Sequence, residues 1–339
     1  MEAVEDIVAG CVTPIGKQGA NVGRLAALKA GFPVSTPGVQ LNRMCGSAQQ
    51  ALHFASQAIG AGDMDVTIGG GVEMMGTQEM GSDTDLFLPG PSEFKDNFPY
   101  KLIHQGVSAE MVAEKYGVSK DECDDYAARS HELASNARDA GFFAPSIVPI
   151  DLGNGQVFEV DEGIRFPVDM DKLKSLKTIF KKDGGVVTAG NASQISDGAS
   201  AVLVAAEDAA DKMGLKKRAR IVGRAVVGSD PVVMLDGVIP ATRRVLEKTG
   251  LTIADIDVFE INEAFASVVL GWQKELGIDM AKVNPNGGAI AMGHPLGATG
   301  GVLTSKLVDE LERSGKKYGL QTMCIGHGMA TATIIQRVE

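Results

Sequence analysis

Apolar residues in this chain fall into short blocks of two kinds, and the two kinds alternate. Runs at 4–12, 39–41, 65–68, 200–206, 219–227, 257–260 and 321–325 have the length and β-branched content of strands. Between them the apolar positions step by three and four, as on one face of a helix. Ala48, Ala51, Leu52, Ala55, Ala58 and Ile59 make one such face, directly after Leu41-Asn42-Arg43-Met44-Cys45-Gly46-Ser47. Further helices are expected over 21–30 and 239–250, from Ala266 to about Leu276, and after a glycine-rich loop at 284–301, ending near Arg313. Strands alternating with helices predict an α/β fold with a mostly parallel sheet.

The rhythm breaks between about 76 and 187. Residues 81–100 hold three prolines and many acids, which predicts an extended insertion. A helix is expected from about Ser108 to Tyr116. Ser119 with Glu122 three residues on is a capping-box pattern, opening another helix that runs to about Ala140. Lys172, Lys174, Lys177, Lys181 and Lys182 then form a basic run, readable as a solvated face or as a landing site for phosphates.

The two ends of the chain repeat each other. In the first, a strand leads to Cys45, then a helix, a strand and the cluster Gly69-Gly70-Gly71. In the second, the segment near Val283 leads to His294, then a helix, a strand and Gly326-His327-Gly328. The strand at 4–12 matches the one before Asn262. The second half also has a strand and helix over 219–250 with no counterpart in the first, so the repeat predicts that one strand and one helix are missing ahead of residue 4.

Composition narrows the function. Hydrophobic residues make up 44% and charged residues 22%, ordinary for a globular protein of two or three domains. The formal net charge of −11 argues against nucleic-acid binding but leaves room for a local basic patch. Cys11, Cys45, Cys123 and Cys324 are far apart, without metal-site or disulfide spacing. No apolar run is long enough for a membrane span, and the acidic start lacks a targeting pattern, so a reducing, cytoplasmic setting is expected.

Four polar groups stand where glycine-rich strand ends meet helices: Cys45, Asn262, His294 and Cys324. Ligands of α/β proteins bind at the carboxyl ends of parallel strands. At the start of a helix, the Cys45 thiol is expected to have a lowered pKa. A thiol beside an imidazole can attack a carbonyl carbon, and backbone N–H groups can hold the resulting oxyanion. Singly, each residue has a plain structural reading: a buried core cysteine, a helix-capping asparagine, a loop histidine. Their joint occurrence is far less expected by chance than any one of them.

These residues lie in motifs that resemble the thiolase family along nearly the whole chain. Asn42-Arg43-Met44-Cys45-Gly46-Ser47-Ala48 is similar to the family's acyl-accepting segment. Asn262-Glu263-Ala264-Phe265-Ala266, residues 286–295 ending Gly293-His294-Pro295, and Cys324-Ile325-Gly326 are similar to its other signatures, in the same order. The resemblance implies a duplicated five-layer α-β-α-β-α fold with an inserted loop domain. Its divisions would be 1–75 with 188–210 (first half), 76–187 (loop domain) and 211–339 (second half).

It also implies roles. Cys45 would take the acyl group of a 3-oxoacyl-CoA, with His294 activating it. Cys324 would move the proton at the acetyl carbon, and Asn262 with His294 would hold the enolate oxygen. Gly326 and Cys45 would supply the second oxyanion hole. His104, Ala189, Ser193, Met234 and Phe265 would line the pantetheine and acyl pocket, with Arg165 and the lysine run near the nucleotide phosphates. Gln105, where biosynthetic members carry methionine, leans towards a degradative enzyme. Coenzyme A would be a substrate, with no cofactor or metal, and the protein would be a homodimer or homotetramer. Two departures stand out. The family's usual first strand, taken as central to its sheet, is absent, which would leave its neighbours unpaired. His327 and Ala330 replace usual glycines, and His327 would be strained if its φ is positive. A decarboxylating ketoacyl synthase and a non-catalytic acyl-CoA-binding or scaffold protein are the alternative readings.

Overall fold

A computed structural model describes residues 1–84 and 97–338. Ten strands and ten α-helices are described. In the first half they are β1 (Asp6–Gly10), α1 (Val22–Lys29), β2 (Val39–Leu41), α2 (Ser47–Ala61) and β3 (Val66–Met74). Between the halves come α3 (Gln105–Tyr116), α4 (Lys120–Asp139), β4 (Ile150–Asp151), β5 (Val157–Phe158) and α5 (Met170–Ser175), followed by β6 (Asp197–Ala205) and α6 (Glu207–Lys212). The second half holds β7 (Ala219–Gly228), α7 (Val238–Thr249), β8 (Val258–Ile261), α8 (Ala266–Leu276), α9 (Ala289–Met292), α10 (Thr299–Ser314), β9 (Tyr318–Ile325) and β10 (Met329–Arg337). The expected insertion at 81–100 falls mostly outside the described residues.

Two four-stranded sheets repeat one plan. The first has the order β2-β1-β3-β6 and the second β7-β10-β9-β8. In the first, β1 lies parallel to β2 and β3, with Val8 opposite both Val39 and Gly69, and β6 is antiparallel to β3. In the second, β8 lies parallel to β9, and β10 is antiparallel to β9. Val283 makes a parallel bridge to Phe259, standing where β2 stands in the first sheet.

The extra strand of the second half, β7, is antiparallel to β10 at the sheet's edge. That corrects the expectation of a central first strand with unpaired neighbours. By the repeat, the counterpart of β7 belongs outside β6, and β1 and β3 pair directly over five residue pairs.

Helices α2 and α10 pack against each other between the sheets, α2 on β1 and β3 and α10 on β6, β8 and β9. Helix α1 covers β1 and β2, and α7 covers β7 and β10 on the other outer face. This is the expected layering. The main core runs through the second half and takes in α3 and α4, where Ala109, Val112 and Tyr126 are buried with Ile261, Val268 and Trp272.

Where the layers meet, glycine lets backbones touch. A side chain at Gly71 would sit 2.0 Å from the Gly297 carbonyl oxygen, so the loop carrying His294 closes directly onto β3. Strand β3 continues to Met74, through the three glycines expected to end it, because they and the residues after them pair with β6. Strand β10 escaped the sequence pattern because alternating alanine and threonine give it little hydrophobic signal. Ser119 and Glu122 do form the expected reciprocal cap of α4.

Candidate active site

Cys45 sits in a tight turn between β2 and α2. Asn42 Oδ1 accepts from the Met44 N–H at 2.7 Å, and Met44 takes a positive φ of 45°. Ser47 Oγ donates to the Met44 carbonyl and accepts from the Arg43 N–H. The turn uses up the N–H groups of Gly46 and Ser47, which donate to the carbonyls of Arg43 and Met44. Those are the donors that were expected to lower the Cys45 pKa.

The expectation is reversed. Cys45 is 3% exposed, and burial pushes its thiol up. The Gln105 side chain, the Gly326 N–H and its own N–H act in the opposite direction, but less strongly. At rest Cys45 is therefore a neutral thiol, which would need a base to attack a carbonyl carbon.

His294 is a neutral imidazole. Its Nδ1 lies 2.6 Å from Thr299 Oγ1, which donates its only hydrogen to the Pro295 carbonyl. Thr299 must then accept from Nδ1–H, which leaves the lone pair on Nε2. Nε2 faces Asn262 Nδ2 at 3.2 Å. Burial lowers the His294 pKa to about 4. Asn262 is fully buried, and its Oδ1 has no hydrogen-bond partner among the described residues.

Cys324, at the end of β9, is also fully buried. Burial, and then the neighbouring charge of Cys45, raise its pKa far above the ordinary thiol range. Ile325 packs so closely on the Cys45 turn that a side chain at Gly46 would meet its Cδ1 at 2.3 Å. The site thus joins the first half to the end of β9 in the second. Among the described residues Cys45 and His294 share no hydrogen bond. They are joined through Leu296, which packs with Cys45 and Val12.

Two buried carboxylates hold this arrangement. Glu73 accepts from the N–H groups of Val12, Thr13 and Gly297 and from Gln18, tying β1, β3 and the His294 loop together. Glu263 accepts from Tyr126, Ser130, Asn284 Nδ2 and the Ile290 N–H, tying helix α4 to the second half. Nothing in the sequence reading singled out either acid, although Glu263 lies inside a quoted motif.

The expected pocket residues divide into two groups. His104 caps α3, accepting from the Gly106 N–H, and its ring stacks on Phe180 at 4.8 Å. Ala189 is exposed. Ser193 donates its N–H to the Ala264 carbonyl, next to the bridge between Ala192 and Phe265. Met234 and Phe265 are buried in the main core, Met234 with a φ of 36°. Gly326 has no positive φ, whereas His327 does, at 62°. The strain expected at His327 is therefore present, one residue beyond the N–H that faces Cys45. Arg165 donates its N–H to His131 Nδ1, and the five lysines of the basic run are exposed.

Models of the thiolase N-terminal and C-terminal domains match residues 1–208 and 215–337. The chain belongs to the thiolase family. It is 48% identical to a steroid 3-ketoacyl-CoA thiolase of Mycobacterium tuberculosis, over 99% of this chain and 84% of the relative. It is 43% identical to a beta-ketoadipyl-CoA thiolase of Escherichia coli, over 99% of this chain and 88% of that one. The crystal structure of human mitochondrial 3-ketoacyl-CoA thiolase superposes with a TM-score of 0.90 at 38% identity, covering 100% of this chain and 88% of that chain. The thiolase fold, with its duplicated halves, is thus that of the present chain. No helix among the described residues is long and apolar enough to cross a membrane.

The buried histidine makes stability pH-dependent. Its folded pKa of about 4 lies below the unfolded value near ~6.5, so the unfolded state binds more protons between the two. Stability is present above about pH 6.5 and is lost as pH falls towards 4, by about 3 kcal/mol from this residue alone. Urea unfolding at pH 7 and at about pH 4.5 should show a smaller acid loss in His294→Gln than in wild type. Equal losses would contradict the assignment.

Proposed function

We propose that the chain catalyses CoA-dependent thiolysis of 3-oxoacyl-CoA to acetyl-CoA and a shortened acyl-CoA, and the reverse Claisen condensation, through an acyl group on Cys45. The observation that carries this reading is the set of neutral groups gathered on one buried centre. It comprises two thiols with raised pKa values, an imidazole whose Nε2 lone pair meets Asn262 Nδ2, and an asparagine with an unused acceptor.

His294 Nε2 takes the Cys45 proton as Sγ attacks the 3-oxo carbon. The oxyanion draws on the N–H groups of Cys45 and Gly326. The bond between the second and third carbons then breaks, and the electron pair becomes the enolate of acetyl-CoA. Asn262, holding a water on Oδ1, and protonated His294 stabilise the enolate oxygen. Cys324, which keeps its proton at neutral pH because burial raises its pKa, delivers that proton to carbon. Free CoA then attacks the acyl-Cys45 thioester and restores the enzyme. Dividing the reaction at a thioester turns one difficult displacement into two easier ones.

The loop domain supports the choice of CoA. Exposed lysines at 172–182 offer charge for phosphates, and Phe180 within that run stacks on His104. His104 adjoins Gln105, whose side chain reaches Cys45. A phosphate-to-thiol track of this kind fits an elongated ligand with anionic groups at one end and sulfur at the other. Coenzyme A is then a substrate, and His104, Ala189, Ser193, Met234 and Phe265 are its proposed pocket. Four free, buried cysteines suit a cytoplasmic setting.

Kinetics of Cys324→Ala and Cys45→Ala test the scheme. Cys45→Ala should lose both thiolysis and the exchange of labelled CoA into acetyl-CoA. Cys324→Ala should keep the exchange, which needs no proton on carbon, and lose thiolysis by at least about a hundredfold. Equal loss of both activities in Cys324→Ala would overturn its role.

Homodimeric or homotetrameric assembly belongs to the same proposal. The hairpin β4–β5 and its flanks expose Val148, Ile150, Leu152 and Val157, more than half of each, and among the described residues β2 has an unpaired edge. Light scattering on the purified protein should give a mass of two or four chains. A monomer mass at micromolar concentration would contradict it.

A further inference from the structure

Gln105 is the first residue of α3, in the loop domain, yet its side chain enters the active centre. A Cβ built on Gly326 would lie 2.8 Å from Gln105 Nε2 and 3.8 Å from Met44 Cγ. The carboxamide therefore fills the space over Gly326 that any larger residue would occupy. From there the amide lies on the Met44 and Gly326 side of the Cys45 sulfur and favours its thiolate form, as does the Gly326 N–H. The residue is held firmly. His104 caps the helix through the Gly106 N–H and is itself stacked on Phe180, which fixes the backbone on either side of Gln105.

We infer that Gln105 is a catalytic residue that binds the sulfur of Cys45 whenever it carries negative charge. The inference rests on Cys45 being the nucleophile, as proposed above. A thiolate has no hydrogen to donate, so only the Nε2 end of the amide can satisfy it. When His294 removes the thiol proton, the electron pair stays on Sγ and Gln105 Nε2–H donates to it. When CoA attacks the acyl-enzyme, the bond from carbonyl carbon to Sγ breaks and its electrons return to sulfur. The same N–H then receives the departing thiolate until His294 returns the proton.

In a buried centre the donor matters because water is excluded and burial raises the cost of charge on sulfur. Three N–H sources then favour negative charge on one sulfur: the backbone at 45, the backbone at 326 and this side chain. Two come from the halves of the duplicated fold and the third from the loop domain. The loop domain would thus take part in the chemistry as well as in holding CoA.

The test is the pH dependence of Cys45 alkylation by iodoacetamide, followed by peptide mass, in wild type, Gln105→Met and Gln105→Glu. Methionine keeps the length and loses the donor, while glutamate puts a like charge beside the thiolate. The alkylation midpoint should rise by about one pH unit in Gln105→Met, with about tenfold slower labelling at neutral pH, and further in Gln105→Glu. A Gln105→Met midpoint equal to that of wild type would overturn the inference, whatever its activity. The readout needs no turnover. An unshifted midpoint in a protein that still accepts acetyl from acetyl-CoA removes the role of Gln105 and leaves the thiolase reading intact. A shifted midpoint in a protein that never accepts acetyl keeps the contact and removes that reading.

Discussion

The site depends on one buried carboxylate more than on any catalytic group. Glu263 is fully buried and accepts from two side chains of α4, from Asn284 and from the start of α9. It lies directly beside Asn262. Removing it would strand several buried donors, each costing roughly 1–3 kcal/mol. Helix α4, the glycine-rich loop and the Asn262 strand would lose their shared anchor together. Glu73 does the same work across the pseudo-repeat, joining β1 and β3 to Gly297. The two acids, one from each half, therefore hold the two ends of the same loop, the one that carries His294.

What the anchors hold is a centre without resting charge. Burial raises both thiols and lowers the imidazole, so Cys45, Cys324 and His294 are all neutral at physiological pH. Neutrality suits the proposed scheme, in which one proton passes from sulfur to nitrogen and another from sulfur to carbon. Charge appears only during reaction, where fixed N–H dipoles meet it without needing water to reorganise. A permanently ionised thiolate would be a stronger nucleophile, but it would cost more to bury.

Much of this was legible in the sequence because it is local. The helix after Cys45, the cap at Ser119, the strand before Asn262 and the repeat of the two halves follow from spacing and from small-residue patterns. The meeting of Asn262 with His294 followed only from motifs taken jointly. Three things were not legible. The Cys45 pKa is raised rather than lowered because the thiol is buried, and the turn spends the N–H groups of Gly46 and Ser47 on its own carbonyls. The strand β7 lies at an edge, because β10 returns between it and β9, which no periodicity reveals. Glu73, Glu263 and Gln105 act at long range, and their partners lie 61, 137 and 60 positions away in Val12, Tyr126 and Cys45.

Covalent acyl transfer to Cys45 is the centre of the account, and intact-protein mass after mixing with acetyl-CoA tests it most directly. The account predicts a gain of one acetyl group per chain, mapped to the peptide containing Cys45, reversed by free CoA and absent in Cys45→Ser. A folded protein that binds CoA but gains no acetyl group, or gains it on another residue, would contradict it.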